Sequence, residues 1–75
     1  MSINLQYNYA QIDLETCQCV GVFTSSYEIP LPDYIAIPNA DECYQDKYYN
    51  PSTDLWYEDA SFTIEATEVN EMYHG

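Results

Sequence analysis

The sequence predicts an all-β chain, a small antiparallel meander of two hairpins plus a short connecting strand, with at most one short helical turn. Three observations predict it. Apolar and polar residues alternate through Ile3, Leu5, Tyr7 and Tyr9 with Asn4, Gln6 and Asn8 between them, the two-residue period of a half-buried strand. Pro30, Pro32 and Pro38 punctuate the middle of the chain and leave no room there for a long helix. Lys47 to Tyr57 places aromatic pairs on either side of Asn50-Pro51-Ser52-Thr53-Asp54, which reads as a tight hairpin.

Taken in order, the alternation predicts a strand over residues 3–12, then a polar loop at Asp13-Leu14-Glu15-Thr16. Residues 17–25 return as a β-branched and aromatic run, and Gly21 within it marks a bulge or the close approach of another backbone. The loops Asp13–Cys17 and Asn50–Asp54 echo each other. Each starts on a residue whose side chain can accept from the backbone two residues on, and each ends on one asked to take positive φ. Cys17 suits that position less well than Gly or Asn would.

Glu28 to Asp33 is an extended connector, and Tyr34-Ile35-Ala36-Ile37 a short strand stopped by Pro38. Residues 39–46 can hold one or two helical turns with Asn39 as cap. Lys47–Asn50 and Leu55–Glu58 form the second hairpin. Phe62, Ile64 and Ala66 then share one face of an extended segment. Residues 1–60 accordingly read as a single small β domain, and 61–75 as a C-terminal edge strand or a partner-binding arm.

Seventy-five residues carry 13 Asp and Glu against Lys47, a formal net charge of −12. Repulsion from phosphate argues against nucleic-acid binding and against anionic membrane surfaces. The carboxylates either keep an apolar, Tyr-rich chain soluble or imitate phosphates on a nucleic-acid mimic. With 47% hydrophobic residues and nine Tyr, the chain should fold. A domain this small buries only about 60% of its unfolded surface, so oligomerisation is expected to supplement its core. Met1-Ser2-Ile3-Asn4-Leu5 lacks the basic start and apolar middle of a signal peptide.

Chemistry is sparse. Three Cys form no paired framework, and Cys17, Cys19, Cys43 and His74 lack zinc-knuckle spacing. No D-x-D-x-D-G calcium pattern occurs. His74 is the sole His and has no nucleophile motif around it. Neighbouring acids such as Asp41 with Glu42 point opposite ways on a strand. No enzyme activity, cofactor or metal is expected. Tyr48, Tyr49, Trp56 and Tyr57 alternate across both faces of the second hairpin, so one pair should be buried and the other outside. Tyr and Trp suit a protein interface or sugar stacking, or else replace Leu and Phe in a thin core.

The ordered set Tyr9-Ala10-Gln11-Ile12-Asp13, Cys19-Val20-Gly21-Val22, Tyr34-Ile35-Ala36-Ile37-Pro38, Lys47-Tyr48-Tyr49-Asn50-Pro51 and Leu55-Trp56-Tyr57-Glu58-Asp59-Ala60 resembles a small β-domain of tail-fibre and tail-associated structural proteins of tailed bacteriophages. The resemblance spans residues 7 to 63. Cys17 and Asp54 stand where that family usually has Gly, and the chain stops at Gly75 instead of continuing into a long fibre.

The resemblance implies a structural component of a bacteriophage virion (tail, tail-fibre attachment or decoration), made in the host cytoplasm and acting through protein–protein assembly contacts. Its partners would be other virion proteins and copies of itself in a homo-oligomer, a trimer among the options. The expected contact residues are Tyr48, Tyr49, Trp56, Tyr57, Phe62, Ile64, Met72 and Tyr73. The alternative is an acidic inhibitor of a host defence protein, with carboxylates in place of phosphates.

Overall fold

A computed structural model describes residues 6–74. Five strands lie in two antiparallel sheets, with a short 3-10 turn and one short helix. Strands β1 (Tyr7–Ile12), β2 (Cys19–Ser25) and β3 (Tyr34–Ile37) form the first sheet in the order β2-β1-β3. Strands β4 (Tyr48–Asn50) and β5 (Leu55–Tyr57) form the second. The part of the first expected strand at residues 3–5 lies outside the described residues.

Register follows the side-chain alternation. Tyr9 pairs with Phe23 and Ala36, and Ala10 with Val22 and Ile35, so one face of the first sheet is aromatic and the other aliphatic. The aliphatic face carries Ala10, Ile12, Cys19 and Ile37 into the core, where they meet Tyr44, Tyr49, Trp56, Ala66 and Val69. Gln11 pairs with Gly21 while Ile12 pairs with Cys19, leaving Val20 as the extra residue of a bulge. A Cβ at Gly21 would meet nothing within 4 Å, so the bulge, and not a close backbone approach, is what occurs there.

Both hairpin loops use the same device. Asp13 Oδ1 accepts from the Glu15 amide at 2.8 Å, and Asn50 Oδ1 from the Ser52 amide at 2.9 Å. Each loop closes with an amide four residues on, Cys17 to the Asp13 carbonyl at 2.6 Å and Asp54 to the Asn50 carbonyl at 2.8 Å. The closing residues take φ of 65° and 57°. Both turns are therefore defined by local side-chain capture of the backbone, within five residues.

The two sheets are joined through backbone. Gln18 bridges Tyr48, the Cys19 amide donates to the Lys47 carbonyl at 2.7 Å, and the Tyr49 amide donates to the Cys17 carbonyl at 2.9 Å. Between them, Glu42–Tyr44 makes the 3-10 turn, and its cap is Asp41, whose side chain accepts from the Cys43 amide, in place of the expected Asn39. The turn is shorter than residues 39–46 because Asp41 is extended at φ −94°, ψ 137°.

The largest departure is at the C-terminus. Residues 61–75 were expected as an edge strand or arm, yet Thr67–His74 is an α-helix, α1, packed on β5. The strand-like alternation of Phe62, Ile64 and Ala66 ends in a single bridge between Glu65 and Tyr57. From Ala66 onward the buried or packed residues fall at Ala66, Val69, Asn70, Met72 and Tyr73, one face of a helix.

Cys17 has a Cβ in a left-handed conformation, a cost of about 1–2 kcal/mol that Gly would avoid. Cys17→Gly is expected to stabilise the fold by about 0.5–1 kcal/mol in urea denaturation, after allowance for the looser unfolded chain. Cys17→Val should destabilise it. A loss of stability with Gly would contradict the assignment of strain at this position.

Candidate functional site

The second hairpin sorts its aromatics by cross-strand pair. Tyr49 opposes Trp56 and Tyr48 opposes Tyr57. The first pair faces inward, with Trp56 fully buried and Tyr49 nearly so. Tyr44 meets Trp56 edge-on at 5.2 Å between centroids, and Tyr49 and Tyr73 lie 5.1 and 6.1 Å from it. Trp56 and Tyr49 therefore make the core and no external contact. Met72 and Tyr73, expected on a partner, pack instead against this same core from α1. The helix folds back and uses them internally.

The remaining four expected contact residues stay outside. Tyr48, Tyr57 and Phe62 are half-buried and Ile64 is exposed. Tyr57 and Phe62 stack at 5.3 Å, and Phe62 holds a positive φ of 56°, a strained choice for a bulky residue. Asp59 holds it there. Its Oδ1 accepts from the amides of Thr63 and Ile64, both at 2.9 Å, and its Oδ2 accepts from the Thr63 hydroxyl. The Thr63 and Ile64 bonds keep the Asp59 carboxyl below its ordinary pKa.

Asp54 ties hairpin to helix. Its Oδ1 accepts from the hydroxyls of Tyr49 and Tyr73, each at 2.6 Å, and its carbonyl accepts from His74 Nε2 at 2.9 Å. Those two phenols hold the Asp54 carboxyl below its usual range. Burial, helped by the carboxylate, raises the phenol of Tyr49 to about 12 and raises that of Tyr73 as well. Both hydroxyls thus remain donors far into the alkaline range.

Asn70 completes the arrangement, and nothing in the sequence singled it out. It is the buried polar residue of α1, and its Oδ1 accepts from the Trp56 amide at 2.7 Å. Its Nδ2 donates to the Trp56 carbonyl at 3.0 Å and to Glu65 Oε1 at 3.2 Å. A side-chain amide thus stands in for a neighbouring strand along β5.

A cleft of about 390 Å³ opens beside this region, lined by Cys43, Lys47, Glu58, Glu65 and Glu68 among others. Lys47 Nζ and Glu58 Oε2 pair at 2.8 Å across it. Burial pushes the Cys43 thiol up to about 11, so it is held protonated. Among the described residues no three His, Cys, Asp or Glu side chains converge as a metal cluster. His74 sits on Asp54, and Cys17 lies in the first hairpin loop, away from a shared site with it.

The first sheet also carries an aromatic face, opposite its aliphatic one, built from residues with no motif to mark them as a cluster. Tyr9, Phe23 and Tyr34 form a triangle with centroid separations of 5.8, 6.1 and 5.5 Å. The connector crosses it, and the Ile29 amide donates to the Tyr9 hydroxyl at 2.8 Å. Leu31 on that connector and Tyr27 just before it are 52% and 68% exposed. No protein-family model, curated protein or solved structure matches this chain.

Two outcomes test this geometry. Asn70→Ala should cost about 1–3 kcal/mol, because it strands the buried amide of Trp56 and leaves the Trp56 carbonyl with the Ala66 amide alone, and denaturant midpoints would show it. A cost under 0.5 kcal/mol would count against the pairing. The second concerns pH. Asp54 has a depressed folded pKa, so its contribution is present above the unfolded value of 3.8 and is lost as pH falls through the lower folded value. The stability difference between wild type and Asp54→Asn should hold constant near neutrality and close below pH 3.8. A gap that persists unchanged in acid would show that the carboxylate charge contributes nothing.

Proposed function

We propose that this protein is a structural component of a bacteriophage virion, at the tail, a tail-fibre attachment point or a decorating position, and that it works through protein–protein contacts. One observation carries the reading. Several residues that bear the tail-domain resemblance, Ala10, Ile12, Cys19, Ile37, Tyr49 and Trp56, lie in the buried core, which supports a likeness in the scaffold. Large apolar side chains that the core does not use lie outside it, with Leu14 60%, Val20 54% and Ile64 59% exposed. Such side chains on a rigid acidic scaffold suit contact with neighbours. The function needs no catalyst, and assembly is its purpose.

A second reading has one observation in its favour. Glu58, Glu65 and Glu68 gather round the same cleft beside Lys47, as an acidic inhibitor of a basic host protein would arrange some of its charge. Mass spectrometry of purified particles separates the two. The assembly reading expects the chain there at fixed stoichiometry. Recovery from infected-cell lysate alone, with salt-sensitive binding to a basic protein, would overturn it in favour of the inhibitor.

A further inference from the structure

The ends of the second sheet are closed, but one edge of the first is not. Strand β2 is joined to the segment Asp46–Tyr49 only at its start, where the Cys19 amide donates to the Lys47 carbonyl and the Cys19 carbonyl accepts from the Asp46 amide, next to the Gln18–Tyr48 bridge. Beyond Cys19, no backbone of another element bonds to the outer side of Val20–Ser25 among the described residues. The opposite edge, β3, has four residues and is bracketed by Pro32 and Pro38, the usual guard against further pairing. Strand β2 has seven residues, with no proline and no charged side chain. Its Val20 is 54% exposed.

Charge selects the occupant. Two copies of a chain at −12 repel wherever their carboxylates face each other. None of the Asp or Glu residues lies in β1, β2 or β3, so the strands of this sheet bring no carboxylates of their own to a contact between two copies. A basic partner would settle over the carboxylates instead. We propose that the free edge of β2, Val20–Ser25, pairs antiparallel with the same strand of a second copy about a twofold axis, making one six-stranded sheet from two three-stranded ones. Like strands facing each other satisfy the self-complementarity that a twofold contact requires, and the aromatic faces built on Tyr9, Phe23 and Tyr34 become continuous across it. The inference goes beyond the virion reading and fails independently of it, because it concerns the purified chain alone.

Sedimentation equilibrium of the intact protein from about 10 µM to 1 mM tests it. The wild type should approach twice the mass of one chain. Val20→Lys should raise the dissociation constant at least about tenfold, even though the added Lys lowers the overall repulsion. Ser61→Lys makes the same charge change at an exposed position outside the first sheet and should keep the dimer. A wild type that stays at single-chain mass, a Val20→Lys dimer of undiminished affinity, or equal losses in both variants would each overturn the proposal. Amide exchange of Val20–Ser25 in unaltered protein gives the answer without a variant. Protection that rises with concentration supports the pairing, and protection independent of concentration contradicts it.

Discussion

A three-residue strand with a fully buried residue at its centre cannot leave that residue's backbone unpaired, and this constraint organises the molecule. Strand β5 has β4 on one side. On the other, the Trp56 amide and carbonyl face away from water and must find partners there. The side chain of Asn70 supplies both a donor and an acceptor, and the Ala66 amide adds a second bond to the Trp56 carbonyl at 2.9 Å. Helix α1 is therefore held by β5 as much as it covers it.

The aromatic core follows from the same placement. With α1 docked, Tyr73 reaches the ring of Trp56 from one side while Tyr44 and Tyr49 meet it from others. An eight-residue helix is too short to persist alone, and two anchor points outside it compensate. Asn70 anchors its middle to Trp56, and Tyr73 with His74 anchors its end to Asp54. Asp54 is also the residue that closes the second hairpin, so loop, strand and helix share one carboxylate.

Local chemistry was legible in the residues, and long-range chemistry was not. The two hairpin loops could be read because an Asx side chain and a closing residue at positive φ act within five residues, and Cys17 and Asp54 both take that conformation. Strand β1 could be read from period-two alternation, β2 from its β-branched and aromatic run and β3 from the stop at Pro38, and the split of Tyr48 and Tyr57 from Tyr49 and Trp56 follows from the alternation of side chains along a strand. The helix could not be read this way. Phe62, Ile64 and Ala66 imitate a strand, while the spacing of Ala66, Val69 and Tyr73 that signals a helix starts only where that imitation ends. Asn70 has no sequence signal for burial, because its partners are backbone atoms fourteen residues away. The contact residues divided for the same reason, since Met72 and Tyr73 look like interface residues until the helix folds back.

Hydrogen exchange at the Trp56 amide tests the central claim most directly. If Asn70 closes the free side of β5, this amide should exchange only through global unfolding, at a rate matching that of the most protected amides in β1, and with the same denaturant dependence. Exchange that is much faster and insensitive to denaturant would show that the helix frays from β5 on its own, and that the fold does not rest on this pairing.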